Sequence, residues 1–194
     1  MRTSIHGLTA VAVFAAGACA VGVSTVGQQH PPFRTAHSNY ALNGRDALVI
    51  IHGGGYGLDQ ASFRQAVLDN MQRARGGLNT RFTSNPVNNY NSDYKVVMLF
   101  NGPSTAQADE LCRRPDQYAS VTPTVGPETH VLAAFCQFDS ALTEVNGRAA
   151  GVTTVADARF GSLVRQTVTD LFPPSDQRPQ KDSDSGNSGG GGIP

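Results

Sequence analysis

The chain has 194 residues, 39% of them hydrophobic and 15% charged, with 21 Gly, 11 Pro and no Trp. That length is a prior for one domain with short extensions, and the glycine and proline content assigns much of it to turns and loops. A formal net charge of zero, with no basic run, excludes an electrostatic grip on nucleic acid or on bare acidic lipid.

In chain order, residues 1–18 read as a secretory signal. Arg2 gives a positive start, Leu8 to Ala16 (LTAVAVFAA) is an apolar stretch too short to span a bilayer, and small residues follow up to Cys19. Two cut sites are possible. Cleavage after the A-x-A pattern Ala16-Gly17-Ala18 would leave an unmodified thiol at Cys19. The segment AAGAC, Ala15 to Cys19, resembles the lipobox of bacterial lipoproteins, with Ala16 where that motif usually has Leu. The resemblance implies that Cys19 receives diacylglyceryl and becomes the mature N-terminus, holding the protein to a lipid bilayer. In such lipoproteins an Asp after the cysteine tends to retain the protein at the inner membrane. Ala20 stands here instead, which implies the periplasmic face of the outer membrane.

Three cysteines occur, at 19, 112 and 136. An odd count in an exported chain calls for an explanation, and acylation of Cys19 supplies one. Cys112 and Cys136 can then pair. The bridge would close a loop of about 25 residues and stabilise the fold by about 3 kcal/mol in the chain-entropy account; two separate buried thiols are the alternative.

Residues 19–45 show no sustained periodicity and hold Pro-Pro, Gly, Gln and Ser; they are expected to form the anchor and a flexible tether. The domain proper spans residues 46–172. Ala47 to Ile51 (ALVII) reads as a buried strand. Asp59 to Ala74 repeats apolar residues at helical spacing, with Asp59 as N-cap and Gly76-Gly77 as the stop. Lys95 to Phe100 (KVVMLF) is a second strand, and a short helix follows over Thr105 to Cys112. His130 to Phe138 and Ala141 to Val145 form a hairpin through Asp139-Ser140. Phe160, Leu163, Val164, Val168 and Leu171 stripe a final helix capped by Asp157 and stopped by Pro173-Pro174. Residues 173–194, polar and ending in a glycine run, should be a disordered tail. The expected fold is α+β, in the order β-α-β-β-β-α: a two-layer sandwich with a mixed sheet of about four strands and helices on one face. The loops 78–93 and 113–129 are long enough to be functional or mobile; the first, rich in Asn and Tyr, suits a contact surface.

The stretch His52-Gly53-Gly54-Gly55, after a strand, resembles the oxyanion-hole segment of esterases and lipases, in which backbone N–H groups stabilise a developing negative charge. That resemblance implies a serine nucleophile, an acid and a histidine in that chain order. No G-x-S-x-G exists. The nearest segment is GPSTA, Gly102 to Ala106, which nominates Ser104, with His130 as base, Asp109 or Asp116 as acid and Gly53, Gly54 and Gly55 as the oxyanion loop. His130 begins an apolar run, whereas the family's histidine follows the final strand, and the domain is shorter than that family's sheet requires.

A second reading makes the glycine turn and the next helix N-terminus an anion site. No Lys follows the glycines, and Asp59 would oppose a phosphate. The reading adopted is that the glycines turn the chain from a strand into a helix. No metal or cofactor motif is present: there is no H-E-x-x-H and no C-x-x-C. The sequence therefore points to a non-catalytic envelope lipoprotein, an accessory or binding component whose partners are the bilayer and other envelope proteins.

Overall fold

The computed structural model describes residues 22–31, 33, 35–74, 78–124 and 126–173. The signal segment, Cys19 and residues 174–194 of the tail lie outside them. Eleven elements follow one another. In chain order they are β1 (Val23–Gln29), α1 (Thr35–Leu42), β2 (Arg45–Gly53), α2 (Gln60–Ala74), β3 (Thr80–Thr83), β4 (Tyr94–Phe100), α3 (Ala108–Arg113), a 3-10 turn (Pro115–Tyr118), β5 (Glu128–Gln137), β6 (Ser140–Ala150) and α4 (Ala158–Leu171).

The fold is α+β with a mixed sheet, as the sequence implied, but the sheet has six strands in the order β1-β6-β5-β4-β2-β3. β2 runs parallel to β3 and β4; the pairs β4–β5, β5–β6 and β6–β1 are antiparallel. The two additional strands are the edges. β3 lies inside the expected loop 78–93, and the 3-10 turn lies inside the expected loop 113–129.

The expected tether is replaced at residues 23–42 by β1 and α1. β1 pairs with β6 from Val23↔Ala149 to Gln29↔Thr143, and the His30 backbone N–H donates to the Leu142 carbonyl at 2.8 Å. α1 buries Ala41 and Leu42 in the main core. Neither element carries the apolar periodicity that would have marked it, because each contributes only one or two side chains to the interior.

Helices cover both faces, not one. Alternation along the strands separates the layers: Val96, Met98 and Phe100 of β4, with Ala133 and Phe135 of β5, meet α2 and α4. Val97, Leu99, Ala134 and Cys136 point the other way, toward Leu111 and Cys112 of α3 and Tyr118 of the 3-10 turn. The first layer is the larger, centred on Phe63, Phe100 and Phe160, whose rings meet at 5.2 to 5.9 Å. Burying each such ring stabilises the fold by about 2–3 kcal/mol.

Both long helices begin as their sequences dictate. The Asp59 carboxylate accepts from the Ser62 backbone N–H at 2.8 Å, and that of Asp157 accepts from the Arg159 N–H at 2.9 Å, each satisfying a donor of the first turn. α4 lies close against β6 because Gly147 has no side chain: a Cβ there would stand 2.9 Å from Leu163 Cδ1 and from Val131 Cγ1.

Candidate functional site: the glycine loop and the adjoining groove

β2 and β4 run side by side and end together, Gly53 opposite Phe100. At that point the backbones approach so closely that a Cβ on Gly53 would stand 1.8 Å from the Phe100 carbonyl oxygen, and Gly53 has φ +74°. Glycine is therefore required there by contact as well as by conformation.

The loop that follows is fastened from three sides. Asn101, buried and at φ 52°, donates from Nδ2 to the Gly54 carbonyl at 2.9 Å and accepts from the His130 N–H at 2.9 Å. Its own backbone N–H donates to the His130 carbonyl, and its carbonyl accepts from Thr124 N–H, both at 2.9 Å. One asparagine thus ties the glycine loop to the end of β4, the start of β5 and the loop before it. Asparagine tolerates that left-handed backbone better than other side chains. Tyr56 shares a hydrogen bond between its hydroxyl and Thr129 Oγ1 and sets its ring edge-on to Phe160 at 5.8 Å. Burial raises its phenol above the ordinary range. Gln60 Nε2 closes the third side, donating to the Ile51 carbonyl at 3.0 Å.

The residues of the esterase resemblance fall into two places. Ser104 and His130 line one groove of about 750 Å³, with Thr105, Leu132, Asn146 and Arg148 also in its walls. Gly53, Gly54 and Gly55 do not line it: a Cβ on Gly54 would stand 3.6 Å from the Phe63 ring, on the α2 side of the sheet. Among the described residues Ser104 and His130 share no hydrogen bond, and His130 Nε2 stands 3.6 Å from Glu128. Asp109 is engaged elsewhere, accepting from the Ala141 N–H at 2.9 Å. Asp116 lies in the 3-10 turn. The groove itself offers hydroxyls, an imidazole, the Glu128 carboxylate and one guanidinium, Arg148, which makes no ion pair among the described residues; this is a polar surface of mixed charge.

His52 does not join them. It lies buried at the end of β2, its Nε2 without a hydrogen-bond partner among the described residues. Burial lowers its pKa below the ordinary imidazole value, against a smaller upward pull from Asp116. At the α2 N-terminus the Asp59 carboxylate already occupies the first-turn donors, and the hydrogen bonds from Ser62 lower its pKa. The anion reading of that turn has to contend with this fixed negative charge.

Cys112 and Cys136 form a disulfide, with an S–S distance of 2.01 Å. Both residues are fully buried, and the bond joins α3 to β5. A further charged group, Asp46, carries no motif in the sequence. Buried at the start of β2, it accepts from Arg81 Nε at 2.9 Å and Nη2 at 2.6 Å. The same carboxylate accepts from the N–H groups of Val87 and Asn88 at 2.8 and 2.9 Å. The Arg81 guanidinium foremost, with these two backbone donors, holds it well below the usual carboxylate range. This network, together with the buried Phe82 ring stacked on Phe172 at 6.1 Å, seats β3 and the loop after it.

Among the described residues no three His, Cys, Asp or Glu side chains gather to hold a metal ion. No described helix is long and apolar enough to cross a membrane.

The chain is therefore an α+β protein with a six-stranded mixed sheet, a fastened glycine loop and a polar groove beside it. No protein-family model and no curated protein matches it. Among solved structures it is similar to a PelC dodecamer from Paraburkholderia phytofirmans, with 11% identity and a TM-score of 0.42, over 78% of this chain and 99% of that one. A point variant of the same PelC gives 11% and 0.42 over 78% and 98%. A likeness of that degree says nothing about what this chain does.

Proposed function

We propose that the protein is an exported envelope lipoprotein, anchored through acylated Cys19, that serves as a non-catalytic accessory or binding component, with the periplasmic face of the outer membrane as its address. The observation that carries the reading is the cysteine arrangement. Cys112 and Cys136 are joined and buried, which suits an oxidising compartment and leaves Cys19 as the one cysteine unaccounted for, directly after a signal-like segment. The glycine loop adds support, since the contacts around Gly53, Gly54 and Tyr56 explain its composition without chemistry. Two or three acyl chains, at about 0.8 kcal/mol per buried methylene, suffice for a firm anchor.

Intact mass of the mature protein tests this: a diacylated N-terminal Cys19 is expected, and an unmodified Cys19 or Ala20 terminus overturns it. The shared groove of Ser104 and His130 keeps a serine esterase as the second reading. Labelling by a serine-hydrolase probe that disappears in Ser104→Ala would establish it in place of the binding role.

A further inference from the structure

We propose that the end of the sheet built by the loops after β2, β4 and β6 and the loop before β5 lies against the lipid bilayer; this rests on the acylation of Cys19 proposed above. The first observation is a matter of chain length and strand direction. β1 begins at Val23, four residues beyond Cys19, so the anchor can stand no more than about 14 Å from the start of the strand. The register fixes which end that is. Val23 lies opposite Ala149, Glu128 opposite Ala150, Phe100 opposite Val131 and Gly53 opposite Phe100. The start of β1, the glycine loop and the groove mouth therefore share one end of the sheet, and a short leash at Val23 turns that end to the membrane.

The second observation is the charge distribution. Four loops converge at this end, over residues 53–58, 101–107, 121–124 with 126–127, and 150–156. None contains Asp, Glu, Lys or Arg. A charge pressed against a bilayer loses hydration and meets the field of anionic headgroups, whereas glycine, proline and hydroxyl side chains lose little and can hydrogen-bond to headgroups. Charges do flank these loops: Asp59 and Asp157 cap helices, Arg159 pairs with Asp157, and Glu128, His130 and Arg148 stand on the adjoining strand ends, the His130 and Glu128 side chains 54% and 39% exposed. The opposite end differs in carrying charge within its connecting turns. It carries Arg45, Asp93 and Asp139, together with Tyr40, Val87 and Phe138, exposed by 64%, 70% and 61%. β5 has 10 residues, which sets the two ends about 30 Å apart, and the aromatic end would face the aqueous space.

The absence of Trp from the chain supplies the test. Four single-tryptophan variants of the full-length acylated protein, Ser104→Trp and Thr154→Trp at the proposed contact end and Val87→Trp and Phe138→Trp at the other, are bound to phospholipid vesicles carrying a dansyl headgroup lipid. Energy transfer is expected to be several-fold stronger from the first two. Equal transfer from all four, or stronger transfer from Val87→Trp and Phe138→Trp, overturns the orientation. If a contact-end variant fails to fold by circular dichroism, Thr105→Trp takes its place. Intact mass of the same preparation keeps the two proposals separate. Where Cys19 proves unmodified, the acylation reading alone fails; a maleimide lipid coupled to its thiol then restores the tether, and the same comparison decides which end meets the bilayer.

Discussion

Gly53→Ala separates a glycine loop built for contact from one built for chemistry. Gly53 and Gly57 have nearly the same backbone, φ +74° and +69°, yet a Cβ at Gly53 meets the Phe100 carbonyl at 1.8 Å while one at Gly57 meets nothing within 4 Å. An alanine forced into that region costs about 1–2 kcal/mol, from which about 0.4–1 kcal/mol is recovered by stiffening the unfolded chain. Gly57→Ala should therefore destabilise by about 1 kcal/mol or less. At Gly53 the strands must also part by about 1.5 Å to restore an ordinary contact. That separation loosens the last β2–β4 hydrogen bonds, at about 1 kcal/mol each, and disturbs the Phe63–Phe100 contact, so the total becomes about 3–5 kcal/mol. Urea unfolding followed by circular dichroism, with the disulfide intact, measures both variants. Equal losses would refute the close-approach account.

Burial lowers the pKa of His52, so the unfolded chain takes up its proton first. Stability present above pH 6.5 should be lost as pH falls through the lowered folded value, and urea midpoints compared between pH 7.5 and 5 should depend less on pH in His52→Gln. Asp46 acts lower on the scale: its depressed carboxyl stabilises the fold above about pH 4, a contribution lost as pH falls further toward its folded value. Asp46→Asn should destabilise at pH 7 and flatten the acid limb of the stability curve. Reduction of Cys112–Cys136 should cost about 3 kcal/mol, read as a lower urea midpoint in dithiothreitol with no change in the glycine-loop variants' ranking.

What the sequence revealed followed from how each element is held. β2, β4, α2 and α4 are positioned by many apolar contacts, and such contacts leave a period of two or of about 3.6 in the chain. β3 was invisible because it is four residues long and sends only one large apolar side chain, Phe82, into the core, the rest being seated by polar groups: Gln72 accepts from the Phe82 N–H and donates to the Thr80 carbonyl, both at 3.0 Å, and Arg81 pairs with Asp46. β1 was missed for a related reason, since Thr25 donates to Asp170 of α4 and Gly27 merely makes room beside it. No local pattern encodes a partner more than a hundred positions away. In the site, the glycines and His52 were conspicuous, but the residue organising them, Asn101, is a single asparagine after a strand. Its importance lies in an αL backbone and four hydrogen bonds that only the assembled sheet defines.

The pairing of β1 with β6 also orders the assembly of the molecule in time. The first strand of the domain finds its partner in the last, so that edge cannot close until nearly the whole domain is available. Contacts of such sequence separation form late and slow folding. For a chain threaded through a membrane before it folds, as the export proposal requires, this delay is useful. On the export proposal, β1 would stay unpaired and pliable during translocation, and the sheet would complete itself once β6 arrives.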